Sequence, residues 1–300
     1  MIRRACALLR HPTSQRFEEE TSGCGGMGEL VLGLERIAAS LSVVPVRSGP
    51  SPARVEIRLL GELRVRIDGD ELVGWRSPTG RALLARLATA ERRRMSVDDL
   101  LRDVWPDAPF EGARNRVHVA IHKLRRVLGP DIIGFDGDDY VLGGTDIVRV
   151  DLDSLRSELS RGQDAAESGR PREAMSVLRG ALEEVTGGLC AGLRSAEWLE
   201  RERGVVEWRV RDGLHLLSDL AIENGDLGLA RRTAQLALGI DPADEAAHRL
   251  LIRCHVARGR DDLAREQLHR CSDTLDRELG VAPLPETAAL LGAPVYRRAS

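Results

Sequence analysis

Aromatic residues make up only 3% of these 300 residues, and lysine occurs once, at Lys123. No apolar run reaches the roughly 20 residues that a membrane-spanning helix needs. Net charge is close to absent at −3, which excludes a nonspecific polycation. Residues 55–150 balance 16 basic against 16 acidic side chains, so any attraction to phosphate must be local. The five cysteines, Cys6, Cys24, Cys190, Cys254 and Cys271, show no C-x-x-C spacing. An odd, scattered set excludes a disulfide framework and a zinc ribbon, and a reduced, cytoplasmic chain is expected. The apolar run after Met1 is too short for a signal peptide.

Familiar catalytic spacings are missing as well. There is no G-x-S-x-G elbow and no phosphate loop of the form G-x-x-x-x-G-K-[ST]. Gly23, Gly25 and Gly28 match G-x-G-x-x-G, but the acidic segment before them is no strand, so a dinucleotide fold is not expected. His118 and His122 have the i, i+4 spacing of zinc ligands, yet Val119 stands where a catalytic Glu would, and no third ligand is evident. No cofactor, metal or catalytic residue is expected, although an enzyme site formed only in three dimensions stays open.

What the chain does carry is a basic amphipathic helix over 111–128. Val117, Ala120, Ile121, Leu124 and Leu128 fall on one face. Asn115, Val119, His122 and Arg126 fall on the other, flanked by Arg116, His118 and Lys123. Guanidinium and ammonium groups suit guanine edges and phosphates, an amide suits adenine, and a small apolar side chain suits a thymine methyl. The simpler alternative is a solvated surface helix that happens to be basic. Gly129-Pro130 ends it.

The surroundings favour a reader of DNA. Val55–Leu60 and Leu63–Ile67 alternate as half-buried strands, with a turn at Asp68-Gly69-Asp70. Ser77-Pro78 and Ser96 open two helices as N-caps. Ala82, Leu83, Leu87 and Ala90 form the apolar face of the first; Leu100, Leu101, Val104 and Trp105 form that of the second. Gly137-Asp138 lies between two short apolar runs as the turn of a hairpin. Strands, three helices and a hairpin in this order make a winged helix-turn-helix preceded by a small sheet. Besides the basic helix, Arg92-Arg93-Arg94 concentrates positive charge.

Residues 151–296 read as nearly continuous helix with an internal repeat. Gly169, Gly225 and Gly259 are each followed five residues later by Ala174, Ala230 and Ala264. The last two glycines lie 34 residues apart, the tetratricopeptide period, and Asp241-Pro242 falls where the next helix pair would start. A plain helical bundle is the alternative. The expected fold is therefore mostly α with a small β component: a winged helix-turn-helix over 54–146, then an all-α tetratricopeptide-like domain over 150–296. Residues 1–53 fit neither. They read as a disordered or mis-called extension, with a linker composition over 45–53 and a possible start at Met27.

Residues 54–144 resemble the OmpR-type winged-helix domain, in the variant of the Streptomyces antibiotic regulatory protein (SARP) family. The resemblance rests on Leu59-Leu60-Gly61, Arg81–Ala85, Ser96–Leu100, Val104-Trp105-Pro106, Ala113-Arg114-Asn115 and Lys123–Gly129. The helical half resembles the family's bacterial transcriptional activator domain at Val150–Asp153, Trp198, Glu200–Arg203 and Leu275–Pro283. A small family member is implied, without an ATPase module. The resemblance implies a homodimer on double-stranded promoter DNA carrying direct repeats, recruitment of RNA polymerase holoenzyme, and targets in an antibiotic gene cluster. It implies no membrane partner. Arg114, Asn115, Arg116, His118, Val119, His122, Lys123 and Arg126 become the DNA-contact candidates. Asp107 and Phe110, in the loop before the basic helix, become the polymerase-contact candidates. The wing departs from the family, since Asp136, Asp138 and Asp139 would repel phosphate, so no wing contact is carried over. A helical-repeat adaptor working through protein contacts is the alternative function.

Overall fold

The computed structural model describes residues 54–107, 112–144 and 146–291. All belong to the compact unit Val46–Ser300. Strand β1 (Val55–Arg58) pairs antiparallel with β2 (Arg64–Ile67), which pairs with the short β3 (Asp70–Glu71). On its other edge β1 pairs in parallel with β7 (Val148–Val150). Alternation decides the faces: Val55, Ile57, Val65, Val148 and Val150 are buried, whereas Arg58, Arg64, Arg66 and Arg149 face outward.

Helix α1 (Pro78–Thr89) starts where Ser77 Oγ accepts from the Gly80 amide, and α2 (Val97–Val104) where Ser96 Oγ accepts from the Asp99 amide. Both caps satisfy amides that have no partner within the helix. The apolar face of α1 is wider than its period suggests: Leu84, Ala85 and Ala88 are buried as well as Leu83 and Leu87. This helix is enclosed by α2 and α3 (Ala113–Leu128), by the wing, and by the chain beyond residue 150. In α2 the fully enclosed apolar residues are Val97 and Leu100, while Leu101, Val104 and Trp105 are half-buried. A second sheet, in the order β4-β6-β5, joins β4 (Arg94–Ser96) to the hairpin β5 (Ile133–Asp136) and β6 (Asp139–Leu142).

Six helices follow in three antiparallel pairs: α4 (Asp151–Glu167) with α5 (Pro171–Glu183), α6 (Glu197–Glu223) with α7 (Leu227–Ile240), and α8 (Glu245–Ala257) with α9 (Asp261–Leu279). Helix α10 (Pro285–Ala289) follows them. The three turns are built alike. Gly169, Gly225 and Gly259 have φ of +70°, +79° and +67°, the left-handed region that glycine enters without a Cβ penalty. The next amide in each turn bonds a carbonyl five residues back: Arg170 to Ala165, Asp226 to Ala221 and Arg260 to His255, at 2.8–2.9 Å. Ala174, Ala230 and Ala264 are fully enclosed at 0% exposure, so a methyl group is all the helix crossing admits.

The two halves share one apolar core. Trp198, Leu199, Val206 and Val210 pack in the same cluster as Val55, Leu59, Leu83, Leu100 and Val117. The chain after β1 continues as bridges to the loop before α6, Leu60 with Leu189 and Glu62 with Ala191. Asp151, the first residue of α4, accepts from the amides of Leu59 and Leu60 at 2.8–3.0 Å. Burial pushes the Asp151 carboxyl up, and these amides pull against it. The Leu59-Leu60-Gly61 motif is thus a junction. At Gly61 a Cβ would stand 2.9 Å from Thr186 Oγ1.

Cys190, Cys254 and Cys271 are free thiols in the core. Burial pushes Cys190 up to about 12 and Cys271 up to about 11. Neither is poised as a nucleophile.

Candidate nucleic-acid interface

Gly112, with φ +72°, turns the chain into α3, which begins at Ala113. Ala113, Val117, Ile121, Leu124 and Leu128 seat the helix on the core, with Ala120 half-buried beside them. Arg114, Asn115, Arg116, His118, Val119, His122, Lys123 and Arg126 are all exposed. They form one continuous outer face, and Val119 is 45% exposed within it.

Two of the eight are held by neighbouring elements. Arg114 makes a bidentate pair with Asp98 of α2, Nε to Oδ1 at 2.9 Å and Nη2 to Oδ2 at 2.6 Å. That fork holds the Asp98 carboxyl below the usual carboxylate range. His118 Nδ1 lies 2.6 Å from Tyr140 Oη on β6, and its ring stands edge-on to Tyr140 and Phe135. The side chains of Asn115, Arg116, His122, Lys123 and Arg126 have no hydrogen-bond or ion-pair partner among the described residues. An exposed amide, three cationic side chains and an imidazole with no partner among the described residues can meet an external one.

The wing is tied to this helix by a residue that the period alone does not single out. Arg125 is half-buried, donates from Nε to the Ile133 carbonyl at 2.8 Å and lies over the Tyr140 ring. The wing acids are partly neutralised. Arg94 on β4 donates to Asp139 at 2.6 Å and to Asp136 at 2.8 Å. Of the three arginines 92–94, then, Arg94 is engaged by the wing. Arg93 is buried beneath it, with only 7% of its surface exposed, and it cannot meet phosphate. Asp107 is exposed after α2; Phe110 lies outside the described residues.

Residues 74–142 match the family described as transcriptional regulatory protein, C terminal, and residues 150–293 match the bacterial transcriptional activator domain. The chain is 27% identical over 254 residues to the transcriptional regulatory protein MoaR1 of Mycobacterium tuberculosis, covering 82% of this chain and 80% of that one. It is 29% identical over 250 residues to the transcriptional regulatory protein EmbR of the same species, covering 79% and 62%. To the regulatory protein AfsR of Streptomyces coelicolor it is 28% identical over 230 residues, covering 76% of this chain and 23% of that one. Among solved structures it resembles M. tuberculosis EmbR in complex with a low-affinity phosphopeptide, with a TM-score of 0.70 at 28% identity over 80% of this chain and 64% of that one.

Proposed function

We propose, since the chain is a transcriptional regulator of the SARP type, with an OmpR-type winged helix and a bacterial transcriptional activator domain, that it is a sequence-specific activator acting at promoter direct repeats. The observation that carries this reading is the outer face of α3, whose Asn115, Arg116, His122, Lys123 and Arg126 are exposed and have no partner among the described residues. In a major groove, Arg126 and Lys123 would reach guanine edges or phosphates, Asn115 would pair with adenine, and Val119 would meet a thymine methyl. His118 would present its free Nε2 beside them.

The same charges predict weak binding by a single protomer. Few phosphates are neutralised when Arg114 and Arg94 already serve carboxylates. Two protomers on adjacent repeats would add their contacts and raise effective concentration. Repeats about one helical turn apart, roughly 10–11 base pairs, place both α3 helices on one side of the duplex. Inserting about half a turn between them abolishes cooperative binding in an electrophoretic titration. Cooperativity retained at the altered spacing would refute the side-by-side dimer. Recruitment of RNA polymerase holoenzyme through Asp107 and Phe110, a cytoplasmic location and targets in an antibiotic gene cluster complete the proposal.

A second reading, a protein adaptor, is favoured by Trp208, which is 58% exposed on α6 with Val205 exposed one turn before it. The test that separates them is selection by the purified chain from a library of randomised 26-base-pair duplexes. An activator enriches a repeated sequence, whereas an adaptor enriches none.

A further inference from the structure

Arg93 spends its whole guanidinium inside the protein. Its Nε donates to Asp153 Oδ2 on α4 at 2.7 Å, and Nη2 donates to the same carboxylate oxygen. Its Nη1 donates to the Gly143 carbonyl at 3.0 Å, where the wing strand β6 ends, and to the Val148 carbonyl of β7 at 2.8 Å. Only 9% of the side chain is exposed. To deliver it, the chain places two successive non-glycine residues, Arg92 and Arg93, at φ of +51° and +55°, a region that β-carbons disfavour. Such a conformation persists only where surrounding contacts over-determine it.

This anchor belongs to a longer line of charges. Asp153 also faces Arg156 at 3.9 Å; Arg156 faces Glu202 of α6 at 3.7 Å; Glu202 faces Arg86 of α1 at 3.7 Å; and Arg86 bonds Asp103 of α2 at 2.7 Å. From Arg93 the line continues toward the DNA side. Gly143 closes β6, β6 carries Tyr140, and Tyr140 Oη meets His118 on the outer face of α3. Helix α4 is therefore joined to the reading face by hydrogen bonds and the short stretch of β6 backbone between Gly143 and Tyr140.

We infer that Arg93 and Asp153 are positioning residues for DNA recognition, through which the first helix of the helical domain sets the wing and, by way of Tyr140, the side chain of His118. This rests on α3 being the reader. Arg93 is buried and Asp153 stands on α4, away from the outer face of α3, so their effect on affinity must pass through geometry.

The experiment uses the full chain and the best duplex recovered from the randomised library. Asp153→Asn keeps the shape and removes the charge. It lowers affinity for that duplex about tenfold, in the range that coupling through a packed network supports, while affinity for a scrambled duplex changes by less than about twofold. In a Tyr140→Phe background the same substitution costs less than about twofold, because the line is already cut. Arg93→Lys, which loses the planar fork but keeps the charge, gives the same pattern and guards against a variant that fails to fold. Amide hydrogen exchange, with no DNA present, speeds up at 139–142 and 114–122 in Asp153→Asn. A lowered Tm with unchanged affinity of the folded protein would overturn the inference. So would losses that multiply in the double variant, or exchange that rises only around Asp153. If the library enriches no duplex, the reader itself is refuted, and the exchange measurement alone decides the coupling.

Discussion

Trp198→Ala lowers the unfolding free energy by about 3–5 kcal/mol, and the winged helix and the helical repeats still unfold in one transition. The indole is 4% exposed and sits in a core that runs from β1 and α1 through α3 to α6. The Arg86 guanidinium lies 5.5 Å from its ring centre and also bonds Asp103. Removing the ring therefore opens a cavity under both halves and takes an aromatic face from a half-buried cation. Calorimetry and circular dichroism should report the same lowered Tm. Two separated transitions, with the winged helix melting as in the parent, would mean that the halves are independent domains. By the same packing, deleting residues 151–300 would strip Asp151, Leu189 and Trp198 from the strands and helices they cover.

The second large effect is on DNA. Asn115→Ala and Arg126→Ala each weaken binding to the selected duplex by about 1–3 kcal/mol, roughly 5- to 150-fold, if each makes a bidentate base contact. Stability should change by no more than about 0.5 kcal/mol, since both side chains are exposed and have no partner among the described residues. Binding to a scrambled duplex should fall less, because phosphate contacts there carry no sequence information. Fluorescence anisotropy titrations at fixed salt measure all of these. Affinity for the selected duplex unchanged in both variants would remove α3 as the reader.

Much of this was legible in the residues because the signals were local. Ser77 and Ser96 cap helices that start one residue later, Gly137 turns the wing, and the Gly-to-Ala offset marks each helix pair. Each needs only neighbours within about five residues. The parts that were not legible depend on partners far along the chain. Strands β4 and β7 are three residues each, and nothing within Arg94–Ser96 announces a partner at 139–141. The Arg92-Arg93-Arg94 run has the look of solvated charge. Arg93 is buried only because the Gly143 and Val148 carbonyls and the Asp153 carboxylate converge on one point. Apart from Arg114, which the family resemblance supplied, the outer face of α3 was legible as a set because helical period decides it. Its restraints, Asp98 on Arg114 and Tyr140 on His118, come from α2 and β6, and no period within α3 reveals them.

The central claim is that the exposed face of α3 reads a base sequence. Its most direct test is the ratio of affinities of the full chain for the selected duplex and for a scrambled duplex of the same length, composition and salt. The account predicts a ratio of about 10³ or more that collapses toward unity in the Asn115→Ala/Arg126→Ala double variant. Equal affinity for the two duplexes in the parent chain would contradict it.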